Sequence, residues 1–175
     1  MNTPKLKYIL LPESVVHFGE YCFSNTGIEK YLANSSNIIF NDGAFADSAS
    51  LEYVDLQILN ITKLPNEIFS NCYKLEKILL PQTIKVIGES SFKGTIITSF
   101  NFQNISHIYC HAFSYCKNLD YIDLSETNIT TLNKSIFYGC TNLKTIKFPH
   151  HLENISDNAF SQTCLSEISL PSSVK

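Results

Sequence analysis

The stretch LKYILLPESVVHFGEYCF, from Leu6 to Phe23, aligns without a gap on LEKILLPQTIKVIGESSF, from Leu75 to Phe92. The same frame recurs with starts at Leu6, Ile28, Leu51, Leu75, Ile97, Leu119, Leu143 and Leu165, so the spacing is 22 to 24 residues throughout. A unit of this length cannot bury its own apolar face. Repeats of 20 to 50 residues must therefore stack and share one continuous core, which makes the chain a solenoid rather than a conventional globule. We number the units coils 1 to 8; the sequence ends within coil 8, and residues 1–175 are expected to form a single repeat domain.

Each coil opens with L-x-x-I-x-L, as in Leu51, Val54, Leu56 and Leu119, Ile122, Leu124. The last two lie two residues apart, the strand period, so they share an inward face and the residue between them points out. A second aliphatic follows, then an apolar residue three further on, then a Phe five beyond that: Phe23, Phe45, Phe69, Phe92, Phe113, Phe137 and Phe160. Three residues past each Phe comes a small polar column, Thr26, Ser48, Cys72, Thr95, Cys116, Cys140 and Thr163. Its thiols and hydroxyls are expected to bond neighbouring backbone in a reduced, structural ladder. A three-coil period is superimposed, because coils 1, 4 and 7 share a Pro (Pro12, Pro81, Pro149) and a loop one residue shorter after the Phe.

These features predict a right-handed coil with one short parallel strand per repeat, and turns or short helical pieces on the other face. Eight strands at ~4.8 Å would give a sheet on the order of 34 Å long. No deep pocket is expected in so closely packed a stack.

Composition narrows the function classes. All 13 basic residues are Lys and the net charge is −3. Without Arg to fork onto guanine edges and phosphates, a dedicated nucleic-acid binder is excluded. No window reaches the ~18 apolar residues of a membrane span, and the first residues do not read as a signal peptide. No phosphate loop, nucleophile elbow, zinc-protease or dinucleotide motif occurs, so no catalytic residue, metal ligand or cofactor is assigned. His107, Cys110 and His111 have helical ligand spacing, but a tight coil does not supply the helix.

The string L-x-x-I-x-L-P-x-x-(V/I)-x-x-I-G-x-x-(A/S)-F-x-x-C-x-x-L, carried here by Leu75, Ile78, Leu80, Pro81, Ile84, Ile87, Gly88 and Phe92 and by Phe113, Cys116, Leu119 and Phe137, Cys140, Leu143, resembles the BspA-like class of leucine-rich repeats. The resemblance covers residues 6–174. It implies a non-enzymatic protein-binding module, an adhesin or surface antigen at the cell surface; the alternative is an intracellular scaffold, favoured by the missing signal peptide. A metal-dependent or hydrolytic enzyme is the contrasting class.

In such a solenoid the outward strand residues form the presentable face. They include Tyr8, Leu10, Lys30, Leu32, Tyr53, Asp55, Lys77, Leu79, Tyr121 and Asp123, with Ser99, Asn101, Glu167 and Ser169 in the same frame. Leu10, Leu32 and Leu79 form one column and Tyr8 and Tyr53 the next, an apolar contact patch for a protein ligand. Asp55, Asp120 and Asp123 with Tyr53 and Tyr121 form a second, acidic and aromatic candidate. Open core columns at the two ends add end-to-end self-association as a further expectation.

Overall fold

The computed structural model describes residue 3 and residues 5–175. They form a solenoid of parallel strands, and no helix occurs among the described residues. The expected strand follows five of the eight coil starts, as β2 (Lys30–Leu32), β4 (Tyr53–Asp55), β6 (Lys77–Leu79), β9 (Tyr121–Asp123) and β11 (Thr145–Lys147). Pairing is parallel and in frame: Tyr31 opposes Val54, Val54 opposes Ile78, and Ile122 opposes Ile146.

A second ladder runs beside the first. It consists of two-residue strands at the second aliphatic set, β1 (His17–Phe18), β3 (Ile39–Phe40), β5 (Lys63–Leu64), β7 (Val86–Ile87), β8 (His107–Ile108), β10 (Thr131–Leu132) and β12 (Asn154–Ile155), which pair in three segments, β1-β3, β5-β7-β8 and β10-β12. Within each pair one residue points in, as Leu64, Ile87 and Ile108 do, and its neighbour points out.

Turns carry the third side of each coil, around the Phe. The six successive Phe pairs stack with ring centroids 5.3–6.0 Å apart and interplanar angles of 13–27°. The residues two before and two after each Phe have positive φ in all seven coils, from Tyr21 and Asn25 to Asn158 and Gln162. For a non-glycine this conformation costs about 1–2 kcal/mol. The offset is a third hydrogen-bond ladder. In coil 3, for example, the N–H groups of Glu67, Phe69 and Asn71 donate to the carbonyls of Glu89, Ser91 and Lys93 in coil 4, at 2.7–3.0 Å. Every junction from coil 1 to coil 7 repeats these three bonds in the same direction.

The first ladder departs from expectation in three places. Tyr8–Leu10, Ser99–Asn101 and Glu167–Ser169 are not strands, so the sheet is not continuous over eight coils but divides into β2-β4-β6 and β9-β11. The break at coil 5 coincides with extra volume. Inward pairs of the paired strands are Val54 with Leu56, Ile78 with Leu80, Ile122 with Leu124 and Ile146 with Phe148; where Tyr31 enters, small Ala33 follows it. Coil 5 instead places Phe100 and Phe102 together. The Phe100 ring meets Phe92 at 5.3 Å, Phe113 at 5.0 Å and Phe102 at 4.8 Å, and Phe102 also meets Phe113 at 5.4 Å. Two rings stand where each paired strand holds at most one, a crowding that accompanies the break. Bonds that the neighbouring coils make, such as Leu56 N–H to Leu79 C=O, have no counterpart from Leu80 to Asn101 or from Phe102 to Asp123.

Candidate functional site

The Cys and Thr column lies inside the wall of the solenoid. Cys72 Sγ donates to Phe45 C=O, Cys116 Sγ to Phe92 C=O and Cys140 Sγ to Phe113 C=O, each at 3.1 Å and each reaching the preceding coil. Thr26, Thr95 and Thr163 instead donate to the Phe carbonyl of their own coil at 2.8–3.0 Å. Burial pushes the Cys140 thiol up to about 12 and those of Cys72 and Cys116 well above their ordinary value. A thiol that does not ionise is neither nucleophile nor metal ligand. At pH 8 a maleimide should therefore label exposed Cys164 at once, while Cys72, Cys116 and Cys140 react only when the coils open. Peptide mass spectrometry of the labelled protein checks this; labelling of all four at one rate would contradict the buried ladder.

No group of three or more His, Cys, Asp or Glu residues among the described ones could hold a metal. His107 Nδ1 lies 3.0 Å from Ser106 Oγ and His111 Nδ1 lies 3.4 Å from Ser114 Oγ. The two histidines are thus engaged locally.

On the strand side, the proposed columns are brought together in part. Lys30 opposes Tyr53, which opposes Lys77; Leu32 opposes Asp55, which opposes Leu79. Leu10 (97% exposed), Tyr8 (71%) and Leu32 (61%) are strongly exposed apolar side chains of coils 1 and 2. Leu79 is half-buried, and Asp55 separates it from Leu32, so it is not part of one uninterrupted leucine column. Tyr8 and Leu10 occupy their frame positions without forming a strand; coil 1 is tied to the chain start by a bridge between Thr3 and Thr26.

The acidic and aromatic candidate divides in two. Tyr121 Oη donates to Asp123 Oδ2 at 2.6 Å, Ser125 Oγ and N–H donate to Asp123 Oδ1 at 2.6 and 3.0 Å, and Lys147 Nζ lies 3.5 Å from Oδ2. The Ser125 hydroxyl first, then the Tyr121 hydroxyl, hold this carboxyl well below the usual range. In coil 3, Tyr53 Oη reaches Asp55 Oδ2 at 3.4 Å, and Asp55 Oδ1 caps Gln57 N–H at 3.0 Å. Three coils separate these sites, about 14 Å at strand spacing. Lys77 and Lys147 stand over the rings of Tyr53 and Tyr121 at 5.8 Å, so both sites are internally compensated.

Two hollows were not foreseen. The first, about 590 Å³, is a groove half open to solvent at the sheet break between coils 4 and 5. Its lining includes Ile78, Leu80, Phe100 and Asn101, together with the amides of Gln57, Gln82, Gln103 and Asn104. Ile78, Leu80 and Phe100 are half-buried there, whereas Val54, Leu56, Ile122 and Leu124 at the corresponding positions are buried. The second, about 500 Å³, lies on the turn side over the short loop of coil 4, between Tyr73, Tyr115, Lys93 and Lys117.

Tyrosines on the turn side lean on glycines of the next coil. A Cβ on Gly94 would come 3.3 Å from the Tyr73 ring; one on Gly139 would clash with Tyr115 at 2.6 Å, and one on Gly43 would run into the Tyr21 ring. The sequence clue was available, since Gly43, Gly94 and Gly139 each lie two residues from a Phe of the frame.

The family description "BspA type Leucine rich repeat region (6 copies)" matches residues 1–120 and, in a second placement, residues 62–175. No curated protein sequence is significantly similar to the chain. Among solved structures, a leucine rich cell surface protein of Faecalibacterium prausnitzii is similar with a TM-score of 0.73 and 21% identity over 83% of this chain and 42% of its own. A leucine-rich repeat protein of Bacteroides ovatus superposes with a TM-score of 0.61 at 18% identity, covering 98% of this chain and 56% of that one. A third, from Eubacterium ventriosum, gives 0.52 at 16% identity, with 94% and 60% covered. The chain thus spans about half the length of the proteins it superposes on, and these likenesses establish the fold alone.

Proposed function

The chain belongs to the BspA-type leucine-rich repeat family, and from that premise we propose that it is a non-enzymatic interaction module that binds a protein partner through its strand side, as an adhesin or surface antigen does. The observation that carries this reading is the exposure of Tyr8, Leu10 and Leu32, large apolar side chains 61–97% exposed at outward frame positions of coils 1 and 2. Single exposed leucines are ordinary, but a group of this kind marks a contact surface in an otherwise well-buried fold. The description of the Faecalibacterium neighbour as a cell surface protein supports the location.

The test uses the two most exposed leucines, because charging half-buried Leu79 would also disturb packing. Wild-type solenoid and the L10D/L32D variant are compared for binding to a panel of immobilised extracellular-matrix and bacterial surface proteins. Binding should fall at least about tenfold in the variant while its thermal midpoint stays within a few degrees. A variant that binds the same proteins equally well removes the patch from consideration.

A further inference from the structure

We propose that the break in the strand ladder at coil 5 is a docking slot for an extended, uncharged peptide segment of the partner. This rests on the reading of the strand side as the binding side and adds the chemistry of what is bound. The slot separates two backbone segments whose counterparts in β2-β4-β6 and β9-β11 are hydrogen-bonded, and it is the one interior place where that bond is lost, the others being at the first and last junctions of the described coils. On one wall is β6 with Leu80 N–H; on the other is Asn101 C=O; both residues line the cleft, and the bond between them is not formed. Beyond coil 5 the same holds for Phe102 and Asp123. Unpaired strand edges are templates for a further strand, and proteins ordinarily pair or cover them.

The side chains agree with the backbone. None of the residues lining the cleft is charged, and the polar ones are amides and a hydroxyl: Gln57, Gln82, Gln103, Asn101, Asn104 and Ser99. Amides donate and accept, which suits peptide groups; Asn101 Oδ1 already accepts from Gln103 N–H and Asn104 Nδ2 already donates to Gln82 C=O, which leaves the glutamine side chains to meet a ligand. Half-buried Ile78, Leu79 and Phe100 form an apolar patch against which alternate side chains of an extended segment would pack. The volume, about 590 Å³, falls within the range of ligand sites. On the turn side the contrast is clear: the amides of Asn71, Gly94 and Tyr115 beside the second hollow already donate to the next coil.

The slot coincides with the pairing of Phe100 and Phe102 in one coil. The F100I/F102L variant, which copies the Ile122 and Leu124 pair of coil 6, should close the ladder, raise the thermal midpoint and remove the slot. The probe is an acetylated and amidated heptapeptide, Gln-Thr-Val-Thr-Val-Gln-Thr, with a version N-methylated at alternate residues as the control. Titration calorimetry and amide hydrogen exchange should show saturable binding that slows exchange at Leu80. N-methylation, the F100I/F102L pair, and a separate N101W variant that fills the mouth from an exposed position should each weaken binding at least about tenfold.

Absence of binding at millimolar peptide overturns the proposal. So do equal binding of the N-methylated control, unchanged binding by both variants, or displacement of the peptide by cellohexaose, which would make the slot a glycan site. The two readings fail separately. If L10D/L32D loses the panel proteins and the peptide never binds, the slot alone is wrong; if the peptide binds and L10D/L32D changes nothing, the apolar patch alone is wrong.

Discussion

Replacing Phe113 by Ala should destabilise the solenoid by about 3–5 kcal/mol, the range for removing a fully buried aromatic from a core. Phe113 has no exposed surface and is stacked between Phe92 at 5.3 Å and Phe137 at 5.8 Å. Phe100 and Phe102 also lean on it edgewise, so truncation leaves a cavity bordered by rings of three coils. In a linear array each coil is stabilised mainly by its two neighbours. Loss of one central coupling should therefore do more than lower the midpoint: urea unfolding should lose its single step and separate into two. Phe160, stacked only on the Phe137 side of the spine and partly buried, is the comparison. A Phe113→Ala variant that unfolds in one transition, less than about 1 kcal/mol below wild type, would falsify the spine as the source of coupling.

Gly88→Ala should cost about 1–3 kcal/mol, whereas Gly19→Ala should be close to neutral. The two glycines share a position in the repeat, four residues before the Phe, and φ is positive at neither. Space distinguishes them. A Cβ on Gly88 would stand 2.7 Å from Leu64 O and from the carbonyl C and O of Pro65, and backbone cannot move aside as a side chain can. Around Gly19 nothing lies within 4 Å of that position. Paired thermal melts of the single variants measure the difference; equal losses would mean that the turn requires glycine for its conformation and not for clearance.

The repeat columns were legible in the sequence because burial repeats there by residue class. Ile, Leu and Val at the strand positions and Phe at the turn keep their places in coil after coil, and the Cys and Thr column needed only the same register. The strand break was not legible, since Phe100 and Phe102 both satisfy an apolar consensus and a class pattern carries no volume. Ser99–Asn101 therefore read as one more strand, and the cleft beside it was unforeseen. The second ladder escaped for a different reason: two residues, as in Lys63–Leu64, are too few to display alternation. Tyr8 and Leu10 kept their frame but not their strand, while the leaning of Tyr73 on Gly94 and of Tyr115 on Gly139 joins consecutive coils at positions outside the apolar columns.

The turn ladder, whose N–H groups all point from one coil to the next, also gives each coil two unlike sides. The side toward higher residue numbers offers three donors and the side toward lower numbers three acceptors, like the stud and socket of a building brick. The backbone bonds of such a joint suit any neighbour in the correct polarity and reject one that is reversed, while the side chains must still match, as the glycine under Tyr115 does. A block of coils copied with its own seam residues can then be spliced head to tail. The duplicated three-coil units, 68 to 69 residues apart, show the mark such splicing would leave, and the same joint offers a route to lengthening or shortening the array by whole coils.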